Sequence, residues 1–327
     1  MATRALITGG AGFIGSHLAE QLLAVGQEVT IIDNLSTGQF ENIEHLEKRI
    51  GFHYVIEDIR NATVMDRLVS ECDVIYHLAA AVGVFSIVSS PIDTIEVNVG
   101  GTEIVLRTAR RYRKKVLIAS TSEVYGKNEK IPFNEDDDRT LGPTTKSRWS
   151  YAASKELDEF LALAYHRSAN LPVVIFRLFN TVGPRQTGRY GMVLPRFVQW
   201  ALKNEPIEVY GDGKQQRCFC NVHDVTTAIH ALAETPRAIG EVYHIGSSEE
   251  ITIYDLADRV RTLAQSTSEI VLIPYDKAYE EGFEDMRRRV PDTHKIEQAI
   301  EWTPTTRLDE TIQQIISYYK PRLSKAE

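Results

Sequence analysis

In "SYAASKELDEF", Tyr151 and Lys155 stand four positions apart and so share one face of a helix. A phenol gives up its proton only near about pH 10, too late for a base at neutral pH unless a cation stabilises the phenolate. Lys155 is such a cation. Upstream, the strand-like run "KVLIAST" ends in three hydroxyls, Ser120, Thr121 and Ser122, followed at once by the carboxylate of Glu123. A Thr121 hydroxyl opposite Tyr151 would let two groups hold one alcohol oxygen while its proton leaves. Tyr and Lys at this spacing also arise by chance. The reading therefore needs a second element, one that can accept the hydrogen on the alcohol carbon.

The N-terminus supplies that element. In "ALITGGAGFIGSHLAEQLL" a strand closes at Thr8, glycines fall at Gly9, Gly12 and Gly15, and a helix opens. Glycines there allow a tight turn, close approach of backbone N–H groups to a pyrophosphate, and close helix–strand packing. The spacing is GxxGxxG rather than GxGxxG, but it sits between strand and helix as the phosphate-binding geometry requires. The next strand, "EVTIID", ends at Asp33, where a carboxylate accepts from both adenosine ribose hydroxyls and repels a 2′-phosphate; this predicts NAD rather than NADP. Asp58, closing "YVIEDI", is placed to accept from the adenine amino group. "HLAAA" puts small side chains at a strand end that must pass beneath the cofactor. His77 falls inside that strand and reads as a satisfied core histidine, not a catalyst.

Continuous apolar strands alternate with helical segments through the first half of the chain, as in a parallel sheet covered on both faces. The expected fold is α/β: a Rossmann-type doubly wound parallel sheet with a smaller α/β substrate-binding C-terminal domain. Residues 1–180 form the first domain, with about 218–248 returning to it through the strand "GEVYHIGS". Residues 181–327 mainly form the second, interleaved domain. A net charge of −8 excludes nucleic acid as the main partner, because phosphate binding needs a basic face. The basic run Arg107 to Lys115 reads as a solvated helix end. Cys72, Cys218 and Cys220 make no disulfide framework, and Cys218 and Cys220 flank Phe219 at strand spacing as small packing residues on one side. With no signal peptide and no apolar run of about 18 residues, a soluble cytoplasmic protein without a membrane partner is expected. No metal-ligand pattern is present.

Taken together, "TGGAGFIG", Asp33, "HLAA", Asn98 in "EVNVGGT", "STSEVYG", Tyr151-x-x-x-Lys155, "FRLFNTVGPR", "GDGKQQRCFCNVHD" and "RRRVPD" resemble the extended short-chain dehydrogenase/reductase family. The resemblance covers essentially the whole chain and points to the branch of NDP-sugar epimerases, decarboxylases and dehydratases. It implies tightly held NAD, transient oxidation of a sugar at C4 with Tyr151 as base, and a UDP-sugar gripped by the C-terminal part. Lys155 would also hold nicotinamide ribose hydroxyls. Position by position, the cofactor set becomes Gly9, Gly12, Phe13, Ile14 and Gly15 at the turn. Asp33, Asn34, Ser36, Thr37 and Gly38 follow the second strand, and Asp58 with Ile59 the third. Leu78, Ala79 and Ala80, then Asn98 and Ser120, with Tyr151 and Lys155, complete it. Asn180, Arg217 and Arg289 would contact the diphosphate, guanidinium forks suiting a double anion. Val209 and Tyr210 would meet the base, mostly through backbone and stacking, and Val193 the substrate. Arg287 and Arg288 read as a solvated face. The helices near Gly100 to Tyr112 and at Tyr151 would pair across a two-fold in a homodimer; their apolar stripes could equally pack on their own sheet.

The reaction turns on Glu123. Simple 4-epimerases of neutral hexoses usually carry a small or apolar residue there, whereas "TSE" resembles UDP-glucuronate decarboxylases and 4,6-dehydratases. A carboxylate at this point can move a proton at C5 or press a C6 carboxylate out of the ring plane. The loop "GPRQTGRYGMVLPRF" adds Arg185 and Arg189, and an arginine there could clamp a C6 carboxylate in plane and retain it. The decarboxylase-type arginine in the helix after "PD" is absent, and His294 lies nearby. On these residues the favoured reaction is 4-epimerisation of UDP-glucuronate to UDP-galacturonate. Decarboxylation, or another NDP-sugar 4-epimerase or 4,6-dehydratase activity, stays open. A catalytically idle NAD-sensing scaffold is disfavoured by intact Thr121, Tyr151 and Lys155. A net NAD(P) dehydrogenase is disfavoured by Asp33 and the phosphate-binding arginines.

Overall fold

The computed structural model describes residues 2–83, 90–188, 192–274 and 286–324. Apolar runs in the first half become a seven-stranded parallel sheet. Its spatial order is Val242–Ile245, Val173–Leu178, Lys115–Thr121, Val74–His77, Arg4–Thr8, Glu28–Asp33, Phe52–Ile56. The strands are apolar on both faces because both are covered. One face packs Leu18, Leu22, Ile31, Tyr76 and Phe176 under the helices Phe13–Ala24 and Val222–Glu234. The other packs Leu6, Ile32, Ile75, Val105 and Ile118 under Ala62–Glu71, Gly101–Tyr112 and Trp149–Ala169. Strand order reverses beside Arg4–Thr8, so the carboxyl ends of Arg4–Thr8 and Val74–His77 open a crevice at the switch point, where this class of sheet binds ligands.

A third core lies outside this sheet. Leu194, Phe197, Val209, Leu256, Val260 and Ile312 bring together the helices Val193–Lys203, Ile253–Leu263 and Leu308–Leu323 with a two-stranded pair, Ile207–Tyr210 and Ile270–Ile273. The segment around Phe219 departs from the single strand expected there. Cys218 pairs antiparallel with Glu250, whereas Cys220 pairs parallel with Thr181, so the chain changes partner sheet at Phe219. All three cysteines are buried thiols. Among the described residues no helix is long and apolar enough to cross a membrane.

The helix Trp149–Ala169 carries Tyr151 and Lys155, so its placement decides the geometry of the chemistry. A buried ion pair pins it to the sheet. Arg177, on the strand Val173–Leu178, forks its Nε and Nη2 onto the two oxygens of Glu159 at 2.9 and 2.7 Å. Ser120 Oγ donates to the same carboxylate, and Arg177 Nη1 donates to Tyr125 Oη and to the carbonyl of Glu135. Bidentate geometry and extra partners are what let a buried pair offset its desolvation. Burial works against the Arg177 charge, but Glu159 overrides it and raises the pKa.

Candidate active site

A cavity of about 790 Å³ runs from the glycine turn across the carboxyl ends of the strands to the third core. At its near end the backbone is shaped by the absence of side chains. Gly9 adopts φ +72°, and a Cβ there would stand 2.8 Å from Ala79 N; one on Gly15 would stand 2.2 Å from Gly9 O. The turn and the helix start could not close with larger residues. Gly9, Gly12, Phe13, Ile14 and Gly15 line the cavity, as do Leu78, Ala79 and Ala80.

Asp33 is 7% exposed and lines the same cavity. Its Oδ2 accepts from Ala11 N at 3.0 Å and its Oδ1 from Leu35 N at 2.8 Å, so the carboxylate also fixes the turn. Burial pushes its pKa up against these backbone donors. Gly38 does not line the cavity but backs the carboxylate: a Cβ there would fall 2.8 Å from both Asp33 oxygens. Asn34, Ser36, Thr37 and Ile59 line the cavity. So does Asp58, but its oxygens already accept from Arg60 and from Asn34 Nδ2, and the Arg60 hydrogen bond chiefly brings its pKa down to about 2. The expected adenine contact at Asp58 therefore competes with Arg60. The glycine cradle and the inward carboxylate fit an adenosine diphosphate portion such as that of NAD.

Asn98 departs from the expectation. It is 1% exposed and absent from the cavity wall; its Oδ1 accepts from Ala81 N at 2.8 Å and its Nδ2 donates to Ser154 Oγ at 3.0 Å. It staples the Ala80–Ala81 segment to the Tyr151 helix without facing the cofactor space. Ser120 lines the cavity with its hydroxyl committed to Glu159. His77 is a satisfied core histidine, its two ring nitrogens bonded to Thr8 Oγ1 at 2.8 Å and Thr102 Oγ1 at 2.9 Å.

Thr121, Ser122, Glu123, Tyr151 and Lys155 converge on the middle of the cavity. Tyr151 is held in its protonated form: burial and the Glu123 charge push its pKa up, and the Thr121 hydroxyl and Arg289 only partly oppose them. Lys155 is 2% exposed, and its Nζ donates to Asp158 Oδ2 at 2.7 Å. Asp158, three positions on and wholly buried, was not singled out from the sequence; the signal was its place on the same helical face as Tyr151 and Lys155.

Beyond Tyr151 the wall becomes cationic around one anion. Arg289 Nη2 stands 2.7 Å from Glu123 Oε1, and Arg148 Nη2 stands 3.6 Å from Glu123 Oε2. Desolvation would raise the Glu123 pKa, but Arg289, Arg148 and Arg217 outweigh it and hold the carboxyl below its ordinary range. Arg289 is 7% exposed, and its Nε has no hydrogen-bond partner among the described residues. Arg148, three residues before Tyr151, also lies on the cavity face. Asn180, Val193, Tyr210 and Arg217 line the far end with Glu208, Gln215 and Arg196. Asn180 donates to Cys218 O at 2.8 Å, and Arg196 stacks over Tyr210 at 4.9 Å.

One expected substrate residue lies elsewhere, and a second, expected to act through its backbone, turns its side chain from the cavity. Arg185 points away from the cavity to the helix Phe13–Ala24, donating to Glu20 Oε1 at 2.5 Å and Ser16 Oγ at 3.2 Å. A carboxylate within reach on an adjacent helix captured it. The Val209 side chain is fully buried in the third core, so only its neighbours Glu208 and Tyr210 reach the cavity. Alternation along a strand sends Val209 inward. Arg189 lies outside the described residues. Arg288 pairs with Glu250 at the surface.

The family model described as GDP-mannose 4,6 dehydratase matches residues 6–315. The chain belongs to this family of NAD-using nucleotide-sugar enzymes. It is 43% identical over 321 residues to a UDP-N-acetyl-alpha-D-glucosaminuronate decarboxylase of Bacillus cytotoxicus, covering 98% of each. It is 36% identical over 320 residues to UDP-glucuronic acid decarboxylase 1 of Danio rerio, covering 98% of this chain and 73% of that one. Its structure matches a UDP-glucuronic acid 4-epimerase of Bacillus cereus, solved with UDP-glucuronic acid and NAD, with a TM-score of 0.87 at 29% identity over 98% of this chain and 100% of that one.

Proposed function

We propose that the protein is an NAD-dependent UDP-uronate decarboxylase, with UDP-N-acetylglucosaminuronate as the first substrate and UDP-glucuronate as the second. The observation that carries this reading is Glu123, an ionised carboxylate held between Arg289 and Arg148 beside Thr121 and Tyr151. The likeness to the two decarboxylases supports it. Bound oxidised NAD supplies the hydride acceptor at C4 and a positive charge that favours the Tyr151 phenolate.

In the proposed sequence Tyr151 removes the C4 hydroxyl proton while the C4 hydrogen departs as hydride, leaving a ketone. The C6 carboxylate is then β to that carbonyl. The C5–C6 bond breaks, its electron pair passes into the C4–C5 enolate, and CO2 leaves. Thr121 and Tyr151 hold the enolate oxygen. A proton from water adds at C5, and Tyr151 returns its own proton to O4 as C4 regains the hydride that bound NAD would carry. Glu123 repels the C6 carboxylate, a destabilisation relieved when that group departs as neutral CO2. Asn180, Arg217 and Arg289 take the diphosphate, and Tyr210 lies at the base.

Incubation with UDP-N-acetylglucosaminuronate, and separately with UDP-glucuronate, without added NAD tests the reading. Release of CO2 with a decarboxylated UDP-sugar is expected. A C4 epimer that keeps its carboxylate, with no CO2, overturns it in favour of the second reading, UDP-glucuronate 4-epimerase. That reading draws on the "TGRYG" loop and on the likeness to the Bacillus cereus enzyme. We also infer a homodimer through the Tyr151 helix, where Leu157 and Phe160 leave half their surface open. A monomer mass in solution would refute it.

A further inference from the structure

Asp158 is a wholly buried carboxylate whose Oδ2 takes the Lys155 ammonium at 2.7 Å and whose Oδ1 has no hydrogen-bond partner among the described residues. The sheet face beneath this helix is apolar, with Ile75, Val116, Ile118 and Ile175 in its core. The groups facing it are few. Lys155 and Glu159 share its helix, and the Thr102 hydroxyl faces it from Gly101–Tyr112. His77, on the far side of Thr102, is held neutral at working pH, its pKa lowered to about 3 by burial and by Lys155. Around the Tyr151 phenol stand Glu123, Thr121, Arg289 and, through the helix, Asp158.

We propose that Asp158 is a positioning residue of this site: its carboxylate fixes the Lys155 ammonium on the Tyr151 face of the helix and partly cancels that cation's field at the phenol, thereby setting the pH at which the reaction begins. The inference rests on Tyr151 being the base of the proposed reaction. Beyond the pair the Lys155 ammonium loses much of its field, because it and the carboxylate 2.7 Å away act on the phenol as a dipole. Burial raises the Asp158 pKa, and the Lys155 ammonium opposes that rise.

The test is the pH dependence of kcat/KM for the NAD-loaded Asp158→Asn enzyme. The amide keeps the volume and still accepts from Lys155, while the negative charge is gone. The acidic limb should move down by about one pH unit, with KM for the sugar nucleotide unchanged. An unmoved limb, or one moved up, overturns the proposal. Asp158→Ser must move the limb the same way. If neither variant yields folded holoenzyme, Asp158 is a structural counter-ion and the proposal also falls. Tyr151→Phe in the same assay separates the two readings, since retained turnover there removes the base itself regardless of Asp158.

Discussion

Arg289 holds Glu123 from one side at 2.7 Å and reaches Ser122 Oγ with its other terminal nitrogen at 3.5 Å, so one guanidinium spans the turn that follows the strand Lys115–Thr121. A carboxylate gripped in this way stays ionised beside a phenol that must become an anion. The arrangement therefore makes the acid behaviour of Glu123 measurable.

Glu123→Gln removes the negative charge and keeps the shape. CO2 release should fall by about 10²-fold or more. Because the folded pKa of Glu123 lies below its ordinary value, its contribution to stability is complete above the ordinary carboxylate range and lost as pH falls through the lowered value. Acid unfolding monitored below about pH 5 should accordingly be shallower in the Gln variant. Parallel unfolding curves would show that the Arg289 pair adds nothing to stability.

Tyr151→Phe should reduce turnover by about 10²- to 10⁴-fold while leaving bound NAD in place, measured by cofactor released on denaturation. Activity near that of the unaltered enzyme would remove Tyr151 from the chemistry.

Gly38→Ala would drive a methyl group onto both Asp33 oxygens, which cannot retreat without breaking the bonds to Ala11 N and Leu35 N. The purified variant should carry substoichiometric NAD. Full NAD content after gel filtration would show that Asp33 is dispensable for holding it.

Arg185→Ala should leave KM unchanged and cost less than about 1 kcal/mol of stability, because its partner Glu20 lies on a partly open helix face. A large rise in KM would mean that Arg185 leaves Glu20 to meet the substrate.

Arg177→Ala would leave the buried Glu159 carboxylate, 2% exposed, with Ser120 and the more distant Arg139 at 3.8 Å, and should cost about 3–5 kcal/mol. Thermal unfolding measures it, and a loss under about 1 kcal/mol would show that Ser120 and water suffice for Glu159.

The parts of the molecule that obey local rules were legible from the residues. Apolar runs between helices announced the parallel sheet, and the glycines at 9, 12 and 15 announced the turn whose backbone leaves no room for a Cβ. Tyr151 and Lys155 were legible because helical spacing brings them together. What escaped depended on partners distant in sequence. Arg185 sits in a loop rich in apparent substrate contacts, but Glu20 claims it. Asn98 looked like a cofactor contact, but Ala81 N and Ser154 occupy its amide. Arg148 and Asp158 were visible at three-residue spacings from Tyr151 and Lys155, yet a charge on a helix usually faces water, and nothing local marks the ones that face inward.

The edge strand Val242–Ile245 pairs with Val173–Leu178, although the chain between them has already built much of the third core. During synthesis, then, Val173–Leu178 leaves the ribosome with one side unpaired and stays so until residue 245 emerges. An apolar edge open for that interval is where a nascent chain of this kind is most exposed to pairing with a neighbour.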